Sequence, residues 1–109
     1  MAELTQLKQW RDLAPGGTVL PAEAEQPHTG GWRTGVKPSV ALSSCVNCLL
    51  CWLHCPDSAV RLSATETPAF DGFDLDFCKG CEICAEVCPV DAISMVSEDT
   101  VLPEHGILP

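Results

Sequence analysis

All eight cysteines of this 109-residue sequence fall into two runs of the same spacing, CVNCLLCWLHCP at 45–56 and CKGCEICAEVCP at 78–89. Each run reads C-x2-C-x2-C-x3-C-P, and the second run starts thirty-three residues after the first. Cysteine sulfurs bind zinc and iron–sulfur clusters, and pairs of them close disulfide bonds. The chemistry of the chain therefore depends on which of these uses the spacing favours.

The spacing within each run favours four-iron clusters. The first three cysteines lie on one tight loop, where their sulfurs can turn toward one point, whereas the fourth lies beyond a helical turn. This run is typical of two-cluster ferredoxins, in which the fourth cysteine binds the other cluster. The predicted ligands are Cys45, Cys48, Cys51 and Cys88 for the first [4Fe–4S] cluster, and Cys55, Cys78, Cys81 and Cys84 for the second. Such an exchange joins the two halves of the molecule and replaces a missing hydrophobic core.

Two further pairs of residues agree with this prediction. Asn47 and Gly80 hold equivalent places in the C-x-x-C turns, and both residue types adopt positive φ at low cost. Pro56 and Pro89 follow the fourth cysteines, where a fixed φ redirects the chain. Because backbone that wraps a cluster must turn sharply, we expect positive φ at Asn47 and Gly80.

Zinc and disulfides fit the pattern less well. Zinc sites usually combine two C-x-x-C pairs or add histidines, but here the cysteines come in threes. The three histidines, His28, His54 and His105, follow no ligand spacing. Eight cysteines allow very many disulfide connectivities, and nothing in the sequence selects one.

The formal charge of −9 is carried wholly by the cysteine-bearing part of the chain. Residues 1–44 are neutral overall, whereas residues 45–109 hold eleven acidic side chains against Arg61 and Lys79. Nucleic-acid binding requires a basic surface, so this class of function is excluded. An acidic surface suits docking to basic electron-transfer partners, although solubility alone also explains it.

The sequence favours a cytoplasmic location. The N-terminus, MAELTQLKQWRDLAPGG, has no basic start followed by an apolar run, so no secretory signal is expected. The longest apolar stretches are only a few residues, so no membrane span is expected. Thiols stay reduced in the cytoplasm and are available there to bind metal.

The elements that position the cysteines are indicated by a repeat that extends beyond the two runs. At the thirty-three-residue offset, apolar positions match both before and after the cysteines. Residues 73–77 (FDLDF) alternate apolar and acidic residues as a half-buried strand does. Each unit thus reads strand, cysteine loop, helical turns, strand. We predict an α+β fold of the bacterial dicluster ferredoxin type, with a pseudo-twofold repeat.

The flanks are expected to lie outside this repeat. Residues 2–13 (AELTQLKQWRDL) predict a short helix, and the following segment to Gly31 holds three prolines and four glycines, typical of an extended arm. We therefore predict an N-terminal helix and arm at 1–35, a 2[4Fe–4S] ferredoxin domain at 36–98 and a C-terminal tail at 99–109.

Two clusters ligated only by cysteine predict one-electron transfer without catalysis in this chain. Every iron would be fully ligated, so none stays open for a substrate. The sequence also has no phosphate-binding glycine loop and no nucleophile beside a base. The surrounding acids are expected to lower the reduction potentials, because they stabilise the less negative oxidised state.

Residues 31–98 resemble the delta subunit of pyruvate and related 2-oxoacid:ferredoxin oxidoreductases. The resemblance lies in GWRTGVKPSV before the first run, CLLCWLHCPDSAV within it, and FDGFDLDFCKGC and CAEVCPVDAISMVSE around the second. It implies a non-catalytic electron-transfer subunit, joined to catalytic subunits that bind thiamine diphosphate and coenzyme A. Electrons from a 2-oxoacid, with pyruvate as the expected one, would pass through this subunit to external ferredoxin.

The same resemblance implies a use for the arm and marks two departures. The arm from Gly30 onward would lie along the catalytic subunits, with Trp32 as an anchor. Glu82 stands where the family often has glycine, which puts a charge near the second cluster. The tail DTVLPEHGILP extends past the usual end of the family, where it would contact a partner or be disordered.

Three other functions fit parts of the sequence. A freely diffusing dicluster ferredoxin fits the cysteine runs but needs no neutral arm with a tryptophan. A ferredoxin-like subunit of another redox complex, such as a hydrogenase or formate dehydrogenase, fits the runs equally well. A structural zinc module is the third alternative, and analysis of the bound metal distinguishes it from an iron–sulfur protein.

Overall fold

The computed structural model of the chain describes residues 8–20, 25–33 and 35–108. The strands and α-helices, in chain order, are β1 (Val36–Ala41), α1 (Leu50–His54), β2 (Val60–Leu62), β3 (Phe70–Phe73), α2 (Ile83–Val87), β4 (Ile93–Ser97) and β5 (Ile107–Leu108). The unit β1–loop–α1–β2 recurs as β3–loop–α2–β4, which confirms the predicted α+β repeat. No helix in these three ranges is long and apolar enough to cross a membrane.

The strands pair between the two repeats rather than within them. β1 and β4 are antiparallel, with Val40 opposite Ile93. β2 and β3 form a second antiparallel pair, with Val60 opposite Phe73. The helices α1 and α2 contact each other as well. Because each repeat gives one strand to each sheet, neither half completes a sheet by itself.

The hydrophobic core is small. Its buried members are Val40, Cys51, Ala59, Val60, Phe73, Ala92 and Ile93. Phe73 is the largest fully buried side chain of the core. Partly buried cysteines of both runs pack against this core. A core of this size stabilises a small domain only weakly, so other bonds must supply part of the stability.

The predicted strand over residues 73–77 is wrong, because β3 ends at the first of them. The amides of Phe77 and Cys78 both donate to the Asp74 carbonyl, at 3.2 and 3.0 Å. The Asp74 side chain accepts a further bond from the Asp76 amide at 3.1 Å. Hydrogen bonds between an aspartate side chain and nearby backbone amides take the place of the hydrogen bonds that those amides would make in a β-sheet. The alternating segment is therefore a turn that delivers Cys78.

Half of the predicted N-terminal helix lies outside the described residues, which begin at Lys8. The described remainder forms one 3-10 turn at Trp10–Asp12 and no α-helix. Trp10 and Leu13 are 71% and 56% exposed, so no packed face supports a longer helix there. A helix of this length is marginal without tertiary contacts.

The tail folds back onto the domain. Ile107 and Leu108 pair in parallel with Val40 and Ala41, which places β5 on the second edge of β1. Before β5, a 3-10 turn at Glu104–Gly106 contacts β3. The alternative of a disordered tail is therefore wrong, because the edge of β1 offers unpaired backbone groups that a C-terminal strand satisfies.

The arm is seated on the domain at Gly30. The Gly30 amide donates to the Asp76 carbonyl at 2.6 Å, and Gly30 itself is buried. A β-carbon at Gly30 would overlap the carbonyl oxygens of Leu75 and Asp76, whereas a β-carbon at Gly31 would meet open space. Glycine is therefore required at the first position and replaceable at the second.

Gly30→Ala is expected to detach the arm from the turn before Cys78, because the added methyl group overlaps backbone. We expect the free energy of unfolding to fall by about 2 kcal/mol, with faster hydrogen exchange at the residue-30 amide. Gly31→Ala is the matched control, with an expected change below about 0.5 kcal/mol. Equal effects of the two substitutions would show that the arm is not seated here.

Candidate metal centres

The structure brings cysteines of both runs to each of two cavities. The first cavity is lined by Cys45, Cys48, Cys51 and Cys88. The second cavity is lined by Cys55, Cys78, Cys81 and Cys84. Each cavity thus holds three cysteines of one run and the fourth of the other, and none of the eight is in a disulfide.

Left-handed backbone conformations bend each cysteine loop around its cavity. Asn47 and Gly80 have φ of 56° and 67°, which confirms the expectation for these two residues. Leu49 and Glu82, at the starts of α1 and α2, also have positive φ, at 60° and 69°. Sequence reasoning missed this second pair, because neither residue type favours positive φ. Such conformations persist where the surroundings over-determine them, and here they give the two cysteine loops the same bend.

Backbone amides donate to three of the cysteine sulfurs. The amide four residues after Cys55 donates to its Sγ at 3.2 Å, and the equivalent amide after Cys88 donates at 3.3 Å. The Gly80 amide donates to Cys78 Sγ at 3.4 Å. Bonds of this kind stabilise negative charge on sulfur and help to set the potential of an iron–sulfur cluster.

Burial keeps several of the thiols protonated when no metal is bound. Desolvation raises the pKa of the Cys84 thiol to about 12, and it also raises the pKa of Cys51 and of Cys78. A metal ligand must be a thiolate, so binding of iron has to displace these protons. Loading is therefore favoured by rising pH.

The donor set of the cavities fits two [4Fe–4S] clusters. Each cavity offers four soft sulfur ligands, which select iron–sulfur clusters or zinc rather than hard cations. The three histidines, all among the described residues, line neither cavity. His54 instead lies in α1 with its Nδ1 2.9 Å from the Leu50 carbonyl, and His105 lies 3.4 Å from the Glu104 carboxylate.

Charged side chains distinguish the two cavities. Among the described residues that line them, Asp57, Lys79 and Glu82 are charged, and all three lie at the second cavity. Lys79 Nζ lies 3.3 Å from Asp57 Oδ1 and donates to the Phe77 carbonyl at 2.7 Å. The expectation that Glu82 brings a charge to the second centre is confirmed. The sequence did not predict the pairing of Lys79 with Asp57, because the two residues are twenty-two positions apart.

The amino-acid sequence matches known proteins over most of its length. The family described as a 4Fe-4S dicluster domain matches residues 39–95. Pyruvate synthase subunit PorD of Thermotoga maritima is 41% identical over 101 residues, which cover 92% of this chain and 98% of that protein.

Two further relatives extend the match. Pyruvate synthase subunit PorD of Methanothermobacter marburgensis is 40% identical over 84 residues, 76% of this chain and 94% of that protein. The delta subunit of the NADH-dependent phenylglyoxylate dehydrogenase of Aromatoleum evansii is 41% identical over 78 residues, 72% of this chain and 74% of that subunit. The chain therefore belongs to the 4Fe-4S dicluster family and, within it, to the family of the pyruvate synthase PorD subunits.

Proposed function

We propose that this chain is the electron-transfer subunit of a 2-oxoacid oxidoreductase and that it acts through two [4Fe–4S] clusters. The observation that carries the proposal is the presence of two four-cysteine cavities in a chain that matches PorD over 92% of its length. A bound [4Fe–4S] cluster supplies one-electron transfer. The chain itself contributes no catalytic residue.

The eight cysteines are assigned as ligands according to the cavity that each one lines. Cys45, Cys48, Cys51 and Cys88 hold the first cluster, and Cys55, Cys78, Cys81 and Cys84 hold the second. Three sulfurs of each set come from one loop and the fourth from the other repeat. Ligation therefore joins the two halves of the domain, as the pairing of the strands does.

The other residues at the cavities hold the sulfurs and control their surroundings. Val40, Phe70 and Ile93 give the first cavity apolar walls on the side of the core. Amide donors to Cys55 and Cys88 fix the two exchanged sulfurs from the same relative position in each repeat. Sulfurs that are held in place reduce the rearrangement that accompanies a change of charge.

The partners that we propose are catalytic subunits with thiamine diphosphate and coenzyme A, and an external ferredoxin that accepts the electrons. Support comes from the relatives, which are named as subunits of pyruvate synthase and of phenylglyoxylate dehydrogenase. The net charge of −9 suits association with basic partners, an attraction that weakens as salt rises. We place the complex in the cytoplasm, where thiols stay reduced.

The substrate test uses the complex isolated anaerobically through a tag on this chain. We expect the catalytic subunits to be retained and the visible absorbance of the clusters to bleach when pyruvate and coenzyme A are added. Phenylglyoxylate with coenzyme A serves as the comparison substrate, because a relative is named for it. Isolation of the chain alone, with its clusters intact, would contradict the proposal and favour a freely diffusing ferredoxin.

The arm is proposed to contact the catalytic subunits through Trp32. Trp32 is 73% exposed, although Gly30, two residues earlier, is buried and bonded to the domain. Lys79 Nζ lies 5.9 Å from the centroid of the Trp32 ring. An exposed tryptophan on a fixed backbone is a typical anchor of an interface.

Trp32→Ala is expected to weaken retention of the chain in the complex about tenfold or more, because a tryptophan anchor in an interface typically contributes about 2 kcal/mol or more. Trp52→Ala, at a 45% exposed tryptophan in α1, is the matched control with unchanged retention. The measurement is the ratio of this chain to catalytic subunits after dilution and gel filtration. Retention that is equal in the two variants would remove Trp32 from the interface.

A further inference from the structure

Arg33 connects the arm to the loop that carries Cys78. Its side chain is only 9% exposed. Its Nη1 donates to the carbonyl oxygens of Leu75 at 2.6 Å and of Cys78 at 2.9 Å. A β-carbon placed on Gly80 would approach Arg33 Cγ to 3.1 Å, so the stem of the arginine lies against this loop as well. The guanidinium thus fixes the backbone on both sides of Cys78.

The remaining donors of Arg33 form a bidentate pair with Glu98, which directly follows β4. Nε donates to Oε2 and Nη2 donates to Oε1, both at 2.9 Å. The hydrogen bond to Glu98 raises the pKa of Arg33, and the same bond lowers the pKa of Glu98, so both groups are charged at neutral pH. The backbone of Glu98 is held in turn, because Lys37 Nζ donates to its carbonyl at 2.8 Å. The guanidinium is therefore held from two sides.

The hydrogen bonds of Arg33 run to the loop of the second cavity, whereas the described residues that line the first cavity are all uncharged. A cation bonded to one cysteine loop makes the two centres electrostatically unequal. Reduction adds one negative charge to a cluster, and a largely buried cation stabilises that state with little screening by salt. Glu98 opposes this effect from the far side of the guanidinium, whereas Nη1 points at the Cys78 carbonyl.

We propose that Arg33 is a positioning residue for the second cluster alone, where it fixes the Cys78 loop and raises the reduction potential. The inference rests on the two-cluster assignment and is independent of the identity of the catalytic partner. Arg33 acts through the loop backbone and through its charge, without ligating iron.

The test exploits the fact that Arg33→Gln and Glu98→Gln break the same ion pair with opposite changes of charge. Full-length protein with both clusters is titrated anaerobically, and the reduction of each cluster is followed by electron paramagnetic resonance. Cys48→Ser changes one ligand of the first cluster and Cys81→Ser one ligand of the second, so these variants show which reduction step (wave) of the titration belongs to which cluster. Arg33→Lys keeps the positive charge but cannot form the bidentate pair with Glu98.

We expect Arg33→Gln to shift the reduction equilibrium of the second cluster about tenfold toward the oxidised form, or about 59 mV for a one-electron couple. Glu98→Gln is expected to shift the same wave in the opposite direction, and Arg33→Lys to stay within about threefold of the unaltered protein. The reduction equilibrium of the first cluster is expected to shift less than about twofold in every variant, because the guanidinium bonds to the loop of the second cluster and electrostatic energy falls with distance.

Shifts of the same sign in Arg33→Gln and Glu98→Gln would mean that the pair acts only through the fold, and would overturn the proposal. Equal shifts of both waves, or no shift of either, would overturn it as well. If Arg33→Gln does not retain its clusters, Glu98→Gln decides alone. In that case, an upward shift of the reduction potential of the second cluster alone in Glu98→Gln supports the proposal, and any other result for this variant rejects it.

Discussion

Anaerobic chelation of the iron is expected to unfold the domain rather than leave its cysteine loops in place. The buried core is small, and each cavity is lined by four cysteines, drawn from both repeats, that a bound cluster would join. We expect the free energy of unfolding to fall by about 5 kcal/mol or more, on the order of the whole stability of a small domain. Far-UV circular dichroism and amide hydrogen exchange in β1 and β4 measure the loss.

The control for chelation is reconstitution with iron and sulfide under the same anaerobic conditions. Protection of the β1 and β4 amides should return together with the visible absorbance, because ligation and strand pairing join the same two repeats. Higher pH should favour the return, because iron binds thiolates and must displace the protons of the cysteine thiols. An iron-free protein with protected β1 and β4 amides would show that the polypeptide folds without the clusters.

Cys88→Ala is expected to remove or degrade one cluster and to leave the other intact. The iron content should fall from about eight atoms per chain toward about four, because a four-iron cluster requires four ligands. Cys55→Ala is the equivalent variant in the other repeat, and the same loss is expected. Each of the two residues is the fourth cysteine of its run, and its Sγ accepts a hydrogen bond from the amide four residues later. Iron analysis and quantitative electron paramagnetic resonance measure the result. Full iron content in either variant would remove that cysteine from the ligand set.

Much of the site could be predicted because metal ligation constrains local sequence tightly. The spacing of the cysteines identified the eight residues that line the cavities, and also which exchanged cysteine reaches which cavity. Positive φ at Asn47 and Gly80 followed from residue type, since asparagine and glycine adopt it at low cost. Family membership was equally accessible, because the motifs around the runs are particular to the family.

The remaining features depend on contacts that no local pattern encodes. Arg33 and Glu98 are separated by sixty-five residues, and only the pairing of β1 with β4 brings them together. The strand predicted at 73–77 failed for a different reason, because an alternating pattern cannot show that Asp74 caps a turn. The tail was unpredictable as well, since a two-residue strand carries almost no periodic signal.

The exchange of the fourth cysteine between the two repeats is tested most directly by pairs of alanine substitutions. If Cys45 and Cys88 serve one cluster, Cys45→Ala with Cys88→Ala should leave the other cluster intact, with about four iron atoms per chain and a full one-cluster resonance signal. The matched pair, Cys45→Ala with Cys55→Ala, should damage both clusters, because the two residues line different cavities. The reverse outcome, with one intact cluster in the second pair and none in the first, would contradict the account.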